Sequence, residues 1–235
     1  MLRLLATVLM VWIAAAALAA AAADWPPTME VGGFRITGIN GTTNPDGSGR
    51  GRGRLSIPGD GDHRVDLART ASGVVTGSMR VSFSLSGVRI AGSFLLDRRG
   101  LVGTGTVRTG GRPISDANLT ISPGSGVSGW GRVNLGSGFS VTVTCEVGGK
   151  GISVRGNASR QASIDTPLAV YTFKGDVELS ASGTDLVATA KGNVERKGKI
   201  GGMVSTFGPL SFTVDVRSGQ ATANVGGTDI SIDLW

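Results

Sequence analysis

The sequence has very little of three residue types that disulfide-stabilised proteins and many enzymes use. It contains one cysteine, one histidine and one tyrosine in 235 residues. The lone Cys145 excludes an intramolecular disulfide framework, because such a framework needs an even set of cysteines. The lone His63 leaves a single candidate for histidine-based acid–base catalysis. Stability must therefore come from apolar burial and backbone hydrogen bonding.

A long hydrophobic run is also missing after the first 23 residues. In that segment, Arg3 provides a positive charge near the start, residues 4–22 form an apolar stretch, and small residues up to Ala23 form the end. This layout is typical of a secretory signal peptide that is cleaved after Ala23. An uncleaved anchor is the alternative, because the run approaches the roughly 20 residues that span a bilayer. We therefore predict an exported protein, periplasmic or extracellular.

The dominant pattern after the leader is an alternation of apolar and polar residues with period two. Clear examples are the segments 79–85, 139–147, 169–179 and 210–216. Successive side chains on a strand point to opposite faces, so each segment predicts a strand with one apolar face. No segment shows a sustained helical period. The pattern predicts antiparallel sheet with one face buried.

Turn residues and glycines divide and bend these strands. Turn signals recur at intervals of roughly 8 to 12 residues, as in sandwiches and barrels. Of the 39 glycines, five lie inside predicted strands and indicate bends or close backbone approach: Gly92, Gly103, Gly105, Gly175 and Gly192. We therefore expect an all-β fold, an antiparallel sandwich or a strongly curved roll or barrel. It would have about a dozen or more short strands and would follow a signal-peptide helix.

We expect residues 24–235 to form a single domain, with a weak possible subdivision near 110–116. The charge balance changes there: residues 24–115 contain 12 basic and 7 acidic side chains, whereas the remainder contains ten of each. A basic first half favours an anionic partner, such as lipid headgroups or acidic polysaccharide. Because the protein is expected to be exported, nucleic acid is not an expected partner. Another envelope protein, or self-association through sheet edges, is a further alternative.

One basic tract alternates glycine with arginine and is the strongest ligand-binding candidate. In a strand, Arg50, Arg52 and Arg54 would share one face. They would then form a rim that binds lipid phosphate or acidic sugar. A mobile hairpin loop is the alternative interpretation.

The segment that follows contains candidates for a metal site and for catalysis. Asp60 and Asp62 provide the oxygen ligands that calcium prefers, although their spacing matches no known calcium loop. His63 and Asp66 permit a Ser/His/Asp arrangement, but no serine lies in a nucleophile elbow. We expect no catalytic residues, and calcium is the one cofactor kept as a possibility.

The sequence predicts a non-catalytic, glycine-rich binding or structural protein of the cell envelope. Two alternatives stay open. One is a carrier or scaffold for an amphipathic anionic ligand such as lipid. The other is an outer-membrane β-barrel, because alternating strands with one apolar face also describe that class.

The leader generates the first test. The intact mass of the exported protein is expected to correspond to a chain that begins at Asp24, because the small residues up to Ala23 satisfy the cleavage rule. Mass spectrometry of the purified protein measures this directly. A mass equal to the full 23.8 kDa chain would instead show a retained anchor.

Overall fold

The computed structural model describes residues 24–57, 60–124, 126–183 and 185–235. The predicted signal-peptide helix, residues 1–23, lies outside the described residues. Within the described ranges no helix is long and apolar enough to cross a bilayer. The secondary structure of these ranges consists of sixteen β-strands. They are β1 (Thr28–Val31), β2 (Phe34–Thr43), β3 (Gly49–Ile57), β4 (Gly61–Arg69), β5 (Val75–Leu85), β6 (Val88–Asp97), β7 (Gly100–Arg108), β8 (Ile114–Ser122), β9 (Gly126–Gly136), β10 (Phe139–Gly148), β11 (Gly151–Asp165), β12 (Ala169–Ser182), β13 (Asp185–Gly198), β14 (Val204–Val214), β15 (Gln220–Val225) and β16 (Thr228–Asp233).

The strands pair in the order in which they occur along the chain, from β1 to β16. Neighbouring strands run antiparallel, as in the hairpins β3–β4 and β12–β13. Pairing therefore follows the chain, and each strand from β2 to β15 is hydrogen-bonded to the strands before and after it. The prediction of an all-β, antiparallel architecture is confirmed.

The alternation of apolar and polar residues becomes an alternation of burial. In β10, Val141, Val143, Cys145 and Val147 are buried, and the residues between them are exposed. The described residues include no polar or charged residue that is fully buried. The charged groups therefore avoid the large cost of desolvation, and the apolar faces supply the hydrophobic stabilisation.

The chain forms two compact units. The first consists of residues up to Val81, Ser93–Gly103 and Ile121–Gly124; the second consists of Ser82–Gly92, Thr104–Thr120 and Ser125–Trp235. The charge boundary near 110–116 lies inside the second unit. Strands β11 and β16 of that unit contact each other although four strands separate them in the sheet order. The sheet of the second unit is therefore strongly curved.

Three strands of the second unit are longer than the turn spacing indicated. β11 has 15 residues, and β12 and β13 have 14 each. The interior glycines Gly175 of β12 and Gly192 of β13 lie directly opposite each other. A Cβ atom added to either glycine would lie 2.6 Å from the Cα atom of the other. The predicted close backbone approach is confirmed at this pair.

The glycine pair generates a stability test. Gly175→Ala is expected to lower the free energy of unfolding by about 1–3 kcal/mol, the usual cost of overpacking, because the added methyl group meets backbone that cannot move independently. Gly149→Ala is the control, since a Cβ atom there has open space around it. Chemical denaturation measures both. Equal midpoints for the two variants would show that the sheet accommodates the methyl group.

Candidate functional site

The Gly-Arg tract forms β3, and its two residue types lie on opposite faces. Gly49, Gly51 and Gly53 are buried, whereas Arg50, Arg52 and Arg54 are exposed. The strand interpretation of this tract is therefore confirmed. The apolar face of the strand lies on the other side, so a ligand held by these arginines would contact the polar face.

Trp25 explains why glycine occupies the buried positions 49 and 51, whereas a Cβ atom at Gly53 would meet Ile36. Its ring lies over the start of β3, and a Cβ atom added to Gly51 would lie 3.2 Å from it. The indole Nε1 donates a hydrogen bond to the Thr42 carbonyl oxygen at 3.2 Å, and the Arg69 guanidinium stacks on the ring at 5.0 Å. Sequence reasoning did not identify this support for the arginine strand, because nothing in the sequence links Trp25 to β3.

The strand register places a second arginine against the tract. On β4, Arg64 lies directly opposite Arg54, and Asp66 lies directly opposite Arg52. Arg52 Nε donates a hydrogen bond to Asp66 Oδ1 at 3.1 Å. Among the described residues, neither Arg54 nor Arg64 has an ion-pair or hydrogen-bond partner. Two like charges therefore face each other without a direct ion pair, and the nearest acidic residues in the register are Asp62 and Asp66 on either side of Arg64.

These side chains line an open depression of about 480 Å³ in the first unit. We call its cationic rim, formed by Arg52, Arg54 and Arg64, the arginine face. A register shift in β2 lies beside it, between Thr37 and Asn40. The remaining lining residues are Gly38, Asn40, Gly53 and Asp62. Because Asp66 pairs with Arg52, the three guanidinium groups exceed the two neighbouring carboxylates by one positive charge. A guanidinium can bind phosphate, sulfate or carboxylate through paired hydrogen bonds.

The calcium candidates have different partners. Asp60 Oδ2 lies 2.6 Å from His63 Nε2, and His63 lies opposite the buried Leu55. Asp62 lies opposite Ser56 and lines the arginine face. The described residues contain no group of three acidic, histidine or cysteine side chains that could hold a metal ion. Calcium binding here stays a prediction.

Neither His63 nor Cys145 shows a catalytic arrangement in the described part of the chain. The carboxylate of Asp60 binds His63, and no serine hydroxyl joins that pair. Cys145 is 1% exposed. Burial, aided by the charge of Glu146, raises the pKa of its thiol to about 11, so the thiol is neutral at physiological pH and poorly nucleophilic. Cys145 therefore lies in the core with Val143 and Val147, on the apolar face that the alternation over 139–147 predicts.

A second cavity lies elsewhere in the first unit and was not found from the sequence. It has a volume of about 780 Å³ and is lined by Met29, Val31, Val74 and Val75 together with Glu30, Asp97, Arg98 and Arg99. Arg99 Nη2 donates a hydrogen bond to Asp97 Oδ2 at 2.9 Å, and this contact lowers the pKa of Asp97. Among the described residues, the exposed Arg98 makes no ion pair within 4 Å, although its charge also helps to lower the pKa of Asp97. We call this the Arg98 cavity.

Comparison with protein-family models found no match. Comparisons with the curated proteins and with the solved structures also found none. The functional argument therefore depends on the geometry of the chain itself.

Proposed function

We propose that this chain is an exported, non-catalytic binding protein of the cell envelope whose arginine face holds an acidic polysaccharide. The observation that supports this most directly is the juxtaposition of Arg54 and Arg64 across β3 and β4 without a carboxylate between them. Like charges placed directly opposite each other destabilise a sheet. A bound anion would remove that repulsion.

The spacing of the guanidinium groups suits a repeating anion. Neighbouring strands lie about 4.8 Å apart, and alternate residues of one strand lie about 6.6 Å apart. Arg52, Arg54 and Arg64 are therefore anchored on a grid of that size. A polymer with regularly spaced carboxylates or sulfates can contact several of these side chains at once, which raises its overall affinity.

The same face offers little to an acyl chain. The large apolar side chains of β3 and β4, such as Leu55 and Val65, are fully buried on the opposite side. The depression is lined by arginine, asparagine, aspartate and glycine. This chemistry favours a sugar polymer over a lipid as the ligand of the arginine face.

The test removes the unpaired arginines. The double variant Arg54→Gln/Arg64→Gln is expected to bind polygalacturonate and dextran sulfate at least tenfold more weakly than the unmodified protein, because each charge-assisted hydrogen bond contributes about 1.5–3 kcal/mol. Its free energy of unfolding should not fall, since a like-charge contact is lost. Titration calorimetry and chemical denaturation give the two quantities.

The matched control is Arg108→Gln/Arg132→Gln, which removes the same charge from exposed positions of β7 and β9. It is expected to change the affinity by less than about threefold, since distant exposed charges are screened by salt. An equal loss of affinity in both double variants would show that the polymer responds only to the net charge of the protein. Loss of stability in Arg54→Gln/Arg64→Gln would instead assign these arginines a structural role.

The Arg98 cavity favours a second candidate function, a carrier for an amphipathic anionic ligand. It combines the apolar side chains of Met29, Val31 and Val74 with the exposed guanidinium of Arg98, and Glu30 and Asp97 also line it. Its volume lies in the range of about 300–1,000 Å³ that is usual for ligand pockets. This pairing of an apolar lining with a cation fits one acyl chain and an acidic head.

Native mass spectrometry tests the carrier function. The exported protein, purified without detergent, is expected to retain a lipid-sized adduct that Val74→Asp abolishes, because the new carboxylate places a charge against the acyl chain. Leu95→Asp is the control, since Leu95 is 65% exposed and does not line the cavity. An unmodified protein without an adduct, or equal loss in both variants, would contradict the carrier function.

A further inference from the structure

Two hairpin turns of the second unit lie side by side. One joins β11 to β12 and contains Leu168; the other joins β13 to β14 and contains Ile200 and Met203. The backbone amide of Lys199 donates a hydrogen bond to the Leu168 carbonyl oxygen at 3.0 Å. This bond ties the two turns together at one end of their strands.

The two turns and the first residue of β14 carry four exposed apolar side chains. Leu168 is 70% exposed, Ile200 86%, Met203 74% and Val204 53%. These four residues, which we call the apolar tips, are half of the exposed large hydrophobic residues in the described part of the chain. Gly201 and Gly202, with φ of +76° and +65°, form the turn between Ile200 and Met203. Contiguous exposed apolar surface marks an interaction site.

Lysines accompany the apolar tips. Lys197 is exposed and lies between Val170 and Val204 in the strand register. Lys199 Nζ lies 2.6 Å from Asp165 Oδ1. A lysine beside apolar side chains can bury its methylene stem and keep its ammonium group in a polar layer.

We infer that the apolar tips insert into the surface of an anionic lipid bilayer, with Lys197 and Lys199 at the headgroup level. Apolar insertion and attraction to anionic lipids are the two components of interfacial binding. The inference goes beyond the proposed ligand of the arginine face, because it concerns the second unit. An exported envelope protein meets such surfaces.

Size and charge argue against a protein partner. Four aliphatic side chains expose on the order of 400 Å², about half of the roughly 800 Å² that each partner contributes to a standard protein interface. Lys199 is paired with Asp165, but a second copy of this chain would still bring Lys197 against its own copy, and that repulsion disfavours a dimer through the tips. The lipid surface is the occupant that matches both the small area and the positive charge.

Vesicle flotation tests the insertion. The exported protein is expected to float with vesicles of phosphatidylcholine and phosphatidylglycerol in a 7:3 ratio (about 30% anionic lipid, which supplies the negative surface). Ile200→Ser/Met203→Ser should reduce partitioning at least tenfold. The control Leu95→Ser/Trp130→Ser, which removes exposed apolar side chains elsewhere, should change it less than twofold. Circular dichroism verifies that all variants fold.

A second pair of variants tests whether the lysines contribute to vesicle binding. Lys197→Gln/Lys199→Gln should reduce partitioning into the anionic vesicles at least threefold and leave binding to pure phosphatidylcholine unchanged. Lys150→Gln/Lys174→Gln removes the same charge from other exposed positions and should have little effect. Equal partitioning of the unmodified protein into neutral and anionic vesicles would overturn the electrostatic part of the inference.

A fluorescent label reports insertion at the tips themselves. Ile200→Cys can be labelled selectively with a nitrobenzoxadiazole fluorophore, because Cys145 is buried and its pKa is raised to about 11. Anionic vesicles should shift the emission to the blue, whereas the same label at Trp130→Cys should not respond. An unresponsive label at residue 200 would overturn the inference even if a retained leader anchored the protein. A dimer that Ile200→Ser/Met203→Ser converts to a monomer would overturn it in favour of self-association.

Discussion

The opposite orientation of successive side chains along each strand is the constraint on which the rest of the structure depends. Because apolar and polar residues alternate, each strand buries one row of side chains and exposes the other. Strands that follow one another in the sequence also pair with one another, so the buried rows adjoin along the sheet. The core is built from local pairing, without disulfides or buried charges among the described residues.

Glycine makes this arrangement possible where strands or side chains approach closely. Between β12 and β13, the Gly175–Gly192 pair leaves no room for a Cβ atom. In β3, Gly49 and Gly51 make room for the Trp25 ring, and the opposite face consists of arginine. At these positions glycine is a packing requirement, whereas glycines such as Gly73 and Gly138 have open space around them and provide the positive φ of turns.

The proposed binding surfaces share one physical feature, a group left without its usual partner. Arg54 and Arg64 face each other without an acid, Arg98 stands beside an apolar cavity, and the apolar tips project into solvent. Each arrangement contributes less to folding than a compensated one would. Such local departures from optimal stability are typical of surfaces that bind something else.

The alternation in the sequence was enough to predict the all-β class, the core position of Cys145 and the shared face of Arg50, Arg52 and Arg54, because these features depend only on the two-residue period of a strand. The opposition of Arg54 and Arg64 depends on strand register, which turns and β-bulges determine. The Arg98 cavity and the paired apolar tips unite turns that are distant in the sequence. Only the tertiary structure could place those turns together, since strand pairing decides which ends of the strands meet.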